Sequence, residues 1–151
     1  MRTTRLADKV KIVNTVVPTA GAAAGMTETE IDCRGFSRVM YVLITGAAAA
    51  NATIAFKIQH AAATGMAGAA DITSAASAGL TAAANASKIH VYDIAVNPDK
   101  PFQIPVGVVG ADTFANACIA ILYQPTGGNI KYPVSSAYAT ELVTLDTSVN
   151  A

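Results

Sequence analysis

The side chains able to do chemistry are few. His60 and His90 are the two histidines, and Cys33 and Cys118 the two cysteines. Together they would suffice in number for a tetrahedral zinc site. They fall on four separate stretches of chain, however, and neither cysteine has a histidine near it in sequence to act as its base. Each is expected to be structural, the thiols as two unlinked, partly buried side chains. Glu28, Glu30 and Asp32 alternate along one stretch and so share a face, an arrangement compatible with calcium or with an acid and base pair. Arg34 and Arg38 follow closely, and the pattern reads as a solvated strand face. Asp71 and Asp112 lack the spacing of a calcium loop. Gly21, Gly25 and the glycines at 65 and 68 open no helix carrying a phosphate-loop lysine. The expectation is no enzyme activity, no catalytic residue, no metal and no cofactor.

Composition limits the partners. The 151 residues are 52% apolar but only 13% charged, with ten basic residues balancing ten acidic ones. Direct nucleic-acid binding is not expected of a neutral chain. Alanine accounts for 32 residues, phenylalanine and tyrosine together for nine, and there is no tryptophan. Much of the apolar total is therefore small side chain. A neutral, sparsely charged surface repels its own copies weakly and suits a protein that works assembled. The stretch from Met1 to Val17 lacks the apolar centre of a secretory signal. The longest apolar run, Val39–Ala50, is 12 residues against the ~20 that span a bilayer, so no membrane partner is expected.

The elements that must position these residues are short strands. Lys9–Val17 puts Val10, Ile12, Asn14 and Val16 on one face, and Pro18 is expected to stop it. Glu28–Cys33 leads through Arg34 and Gly35 into Phe36–Thr45, apolar on both faces and so predicted to be covered on both. Ala52–His60 alternates most cleanly, with Ile54, Phe56 and Ile58 inward. In Lys88–Val96, His90, Tyr92 and Ile94 alternate with Ile89, Val91 and Asp93. Pro105 in Phe102–Val109 predicts an edge strand. Along Ala115–Gln124, Ala117, Ile119, Ile121 and Tyr123 share a face. The stretch 61–87, rich in Ala, Gly and Ser, is expected to be one long loop anchored by Met66, Ile72 and Leu80, with a short helix near Leu80–Ala86.

Strands at intervals of about ten residues, without crossover helices, predict an all-β fold: a single antiparallel β-sandwich or jelly-roll-like barrel over 1–151. Residues 1–9 form a basic N-terminal arm and 130–151 a C-terminal arm. Residues 1–11 carry Arg2, Arg5, Lys9 and Lys11 against one acid, whereas 132–151 carry Glu141 and Asp146 and no base. Charge complementarity suits such arms to contact with neighbouring chains. These six, with Met66, Ile72 and Leu80, are the expected partner contacts, and no small-molecule substrate is expected.

Two stretches carry a family resemblance. IDCRGFSRVMYVLITG (Ile31–Gly46) resembles the pattern of Asp, small residue, Gly, aromatic and alternating apolar strand found in tailed-bacteriophage head decoration, or cement, proteins, encoded near the major capsid protein. ACIAILYQPTGGNIKYPVSS (Ala117–Ser136) is similar to that group's closing strand, and FKIQHA (Phe56–Ala61) stands where a strand leads into a variable loop. The chain departs from the group in its Ala-rich 61–87 and in lacking Arg-rich character at Phe102–Val109. The resemblance implies an all-β protein without catalysis, made in the host cytoplasm and attached to the outer surface of the virion capsid. Its implied partners are the major capsid protein and further copies of itself, a homo-oligomer with a trimer favoured. A tail-tube, connector or fibre component is the neighbouring alternative. A carbohydrate-binding module is a more distant one, since the chain has no tryptophan for a sugar platform.

Overall fold

A computed structural model describes residues 9–21, 25–26 and 28–127; both expected arms lie almost wholly outside them. Eight strands follow in order: β1 (Lys11–Gly21), β2 (Ile31–Asp32), β3 (Phe36–Ala48), β4 (Thr53–Ala61), β5 (Ala70–Thr81), β6 (Ile89–Ala95), β7 (Phe102–Gly110) and β8 (Phe114–Pro125). Strand β1 pairs with β8, β2 with β7, β3 with β6 and β4 with β5, all antiparallel. The chain is thus one eight-stranded hairpin rolled on itself. Two further pairings, β3 with β8 and β4 with β7, join the hairpin pairs side by side. The result is two four-stranded sheets, β1-β8-β3-β6 and β2-β7-β4-β5. This order is that of a double-sheet jelly roll.

The core lies between the sheets. Val39, Tyr41 and Leu43 of β3 and Phe114, Cys118, Ala120 and Leu122 of β8 face Ile54, Phe56 and Ile58 of β4, and all are fully buried. Side chains also bridge the sheets. Tyr41 Oη donates to Gln103 Oε1 at 3.2 Å, and Tyr92 meets Ser77 Oγ at 2.9 Å while its ring packs on Phe56 at 5.2 Å.

Five local expectations are corrected. Stretch 61–87 is not one loop: it holds a 3₁₀ turn (Thr64–Met66), strand β5 and a single helical turn, α1 (Ala82–Asn85). Small residues hide the strand's alternation, and two register shifts against β4 interrupt what period remains. Pro18 does not end β1, which continues to Gly21. The β1–β8 register jumps between Val16 and Thr19, so Pro18 sits where no ladder donor is required. An earlier jump at Thr15 inserts one extra residue. Thr15 and Val16 are therefore both buried, and Ile12 and Asn14 face outward with Val17.

Pro105 does not place β7 at an edge, because β7 lies between β2 and β4. Yet β2 pairs with it only at Gln103 and Phe102. Gly107 bonds toward that same side, accepting from Met26 N at 2.9 Å and donating to Glu28 Oε1 at 2.8 Å. Two residues away, Pro105 presents its missing N–H in the same direction, beyond the end of β2. The last correction concerns β3, which is covered on one side only. Met40 and Val42 are half-buried and Ile44 is exposed.

Replacing Phe56, fully buried between the sheets against Tyr92, with alanine should cost about 3–5 kcal/mol. Urea unfolding of Phe56→Ala against the parent chain checks this; a loss below ~1 kcal/mol would mean the two sheets do not close on that ring.

Candidate interaction surface

The three alternating carboxylates do not form one site, because each is engaged by a different protein donor. Glu28 accepts the Gly107 N–H on the side of β7 that β2 leaves open. Glu30 accepts from Thr64 Oγ1 at 2.8 Å and from the Gly65 N–H at 2.7 Å, fixing the turn in which Gly65 has φ +77°. Asp32 accepts from Arg34 side chain and backbone. Glu28 and Glu30 tie together segments far apart in sequence, whereas Asp32 closes a local turn at the end of β2.

Two further charged pairs cross between strands. Arg38 meets Asp93 at 2.9 Å and donates to Tyr123 Oη at 2.8 Å, while Tyr123 donates to Asp93 at 2.6 Å. Lys57 and Gln59 of β4 hold Asp71 of β5 at 3.0 and 2.7 Å. The Arg34 hydrogen bonds at Asp32, the Arg38 and Tyr123 bonds at Asp93, and the Gln59 and Lys57 bonds at Asp71 hold each carboxyl below its usual 3.8.

Histidines and cysteines do not converge. His60 lies half-buried on β4 opposite Gln103, with its pKa lowered by burial and by Lys100. His90 faces inward on β6 opposite Leu43, and its Nε2 has no partner. Cys33 and Cys118 are free and fully buried. Burial pushes the first thiol up to about 12 and the second to about 11, from an ordinary 9.0. Among the described residues, no three His, Cys, Asp or Glu side chains are grouped so that they could hold a metal ion. No helix of the described residues is long and apolar enough to cross a membrane.

The expected partner contacts are placed variously. Arg2, Arg5, Glu141 and Asp146 lie outside the described residues. Lys9 sits at the turn entering β1, and Lys11 is half-buried on β1, close enough for its charge to act on Asp32 and Cys33. Met66 is partly exposed in the 3₁₀ turn at φ +55°. Ile72 and Leu80 pack inward against the core, so their apolar surface is largely spent inside the molecule.

What sequence reasoning missed is the outer face of the β1-β8-β3-β6 sheet. Register places Ile12, Ile121 and Met40 in one row that ends at Asp93 on β6, and Asn14, Ile119, Val42 and Val91 in the next; Ala117, Ile44 and Ile89 follow, with Val17 beside them on β1. Among the described residues six large apolar side chains are exposed, and five lie here: Ile89 at 67%, Val17 at 59%, Val91 at 55%, Ile44 at 40% and Ile12 at 39%. The Arg38–Asp93–Tyr123 group closes one margin. An extended uncharged apolar patch of this kind is unusual on a surface that meets only water. The signal was present as strands apolar on both faces; without knowing the layer count, it read as burial.

No family model matches the chain, and no curated protein does. Among solved structures, the chain is similar to one in the structure of infectious bursal disease virus Gx strain. That match has a TM-score of 0.51 and 9% identity, and covers 80% of this chain and 34% of the viral one. At that identity the likeness is one of fold. This chain spans about a third of its neighbour's length.

Two measurements follow. A native carboxyl with a lowered pKa binds its proton less readily than the unfolded one, so the Asp32, Asp71 and Asp93 contributions are full above about pH 4 and are lost on further acidification. Thermal melts from pH 6 down to 2.5 should show the decline beginning near 4, modest in size because these pairs are solvent-screened. A Tm unchanged to pH 2.5 would contradict it. Both thiols should resist a thiol-specific reagent at pH 8 in the native protein and react promptly in denaturant; fast native labelling would show either cysteine to be accessible.

Proposed function

We propose that this protein is a non-enzymatic structural component of a virion, bound to the outside of a phage capsid, where it stabilises the junctions between major capsid protein subunits. The observation that carries the reading is the complete eight-stranded jelly-roll order, matched over most of the chain by a protein from a virus particle. The chemistry of the side chains is consistent with it. The carboxylates are committed to structural ties, and the thiols are buried and held protonated. A rigid sandwich supplies shape, and contact made across subunit junctions adds buried area without any reaction. Many symmetric copies then multiply a modest single-site affinity. The basic arm at 1–9 and the C-terminal arm at 130–151, acidic over 132–151, would grip neighbouring chains by charge complementarity.

A reconstruction of the particle should show jelly-roll density on the outer shell, at subunit junctions. Heads stripped of the protein should rebind the full chain and rebind less of a chain lacking residues 1–9. Density in the tail, or none on the shell, overturns the reading; equal rebinding by the shortened chain removes the arm from it.

A further inference from the structure

We propose that the outer face of the β1-β8-β3-β6 sheet is a two-fold interface between two copies of this chain, each burying its apolar rows against those of the other. The inference concerns the isolated protein and stands whether or not the capsid reading holds.

The argument begins with dimensions. Four strands of 11, 12, 13 and 7 residues, at ~3.3 Å per residue and ~4.8 Å spacing, give a sheet face of roughly 700 Å² in plan. A stable interface buries about 600–1,000 Å² per partner, so the face falls in that range only when it is covered whole. A single extended segment, such as residues 128–151 laid across it, would cover one strip and leave the rest wet. Another sheet is the occupant whose width fits, since sheets pack face to face at ~10 Å with inner side chains interdigitating.

The second step asks which sheet. The outer face of β2-β7-β4-β5 carries Lys57, Gln59 and Asp71 in mutual contact. Pressing it onto the apolar rows would desolvate those charges without new partners, which is costly. The opposing surface free of that penalty is the same face of a second copy. Such a contact is self-complementary and closes after two subunits. Net neutrality removes long-range repulsion between copies.

The margin and the one polar exception also fit. Arg38 and Asp93 are partly exposed at one end of the face and offer both signs of charge, as a polar rim does. Asn14 stands among the apolar rows on β1 with its Oδ1 buried and unpartnered. Only the rest of its carboxamide is left to face a partner, and an uncharged amide there costs far less to cover than a charge.

Sedimentation of the full chain at about 100 μM, where a dimer of micromolar Kd is largely formed, should show dimers. Val91→Lys and Ile89→Lys change side chains more than half exposed in the monomer, so the fold should survive, as circular dichroism will verify. Each should weaken dimerisation by about 100-fold or more through an unpaired buried charge. Val108→Lys, on the opposite sheet, should leave it unchanged. A monomeric parent chain overturns the proposal, as does any oligomer, trimer included, that survives Val91→Lys in folded protein. If the chain ending at Gly127 dimerises while the full chain does not, residues 128–151 cover the face, and the proposal fails for that reason.

Discussion

The pairing of β3 with β8 is the constraint on which the rest depends. These two strands form the centre of one sheet, and their register decides which side chains reach the core. A slip of one residue would exchange Val39, Tyr41 and Leu43 for Met40, Val42 and Ile44, apolar residues all. Hydrophobicity therefore barely discriminates between the two registers. Size and polarity do. Tyr41 lies opposite the small Ala120, and its hydroxyl reaches Gln103 across the sandwich. Farther along, a Cβ on Gly46 would stand 3.0 Å from that of Ala115, so close approach there also depends on the residue pair.

Polar groups throughout the molecule serve the same end. Where two strands pair fully, the ladder satisfies the backbone. Where pairing fails, a side chain takes over, as Glu28 does beside β7 and Thr15 does at the β1 bulge, donating to the Cys118 carbonyl at 2.9 Å. Thr45 likewise holds the carbonyls of Asn85 and Lys88, anchoring the chain between α1 and β6. Of the few charged residues described, some hold irregular segments and others pair across strands, and none lies among the central apolar rows of the β1-β8-β3-β6 face.

Most strands were legible because their alternation is strong: Ile54, Phe56 and Ile58 in β4, and His90, Tyr92 and Ile94 in β6, face inward as their spacing implies. Strand β5 was hidden, since Ala, Ser, Thr and Gly on both faces give no period and the register shifts erase the remainder. The bulge at Thr15 inverted the expected orientation of Val16 relative to Ile12, a change no local pattern announces.

Sequence by itself determined the all-β class, the inward rows of the cleanly alternating strands and the scarcity of reactive groups, because each depends on residues near one another in the chain. Tertiary structure alone decided the strand order, the commitment of Glu28, Glu30 and Asp32 to three separate ties, and which apolar row of β3 and β8 faces water. Those outcomes depend on contacts between residues far apart in sequence. Chain periodicity cannot say how many layers cover a strand, and it is the number of layers that turns a buried row into an exposed one.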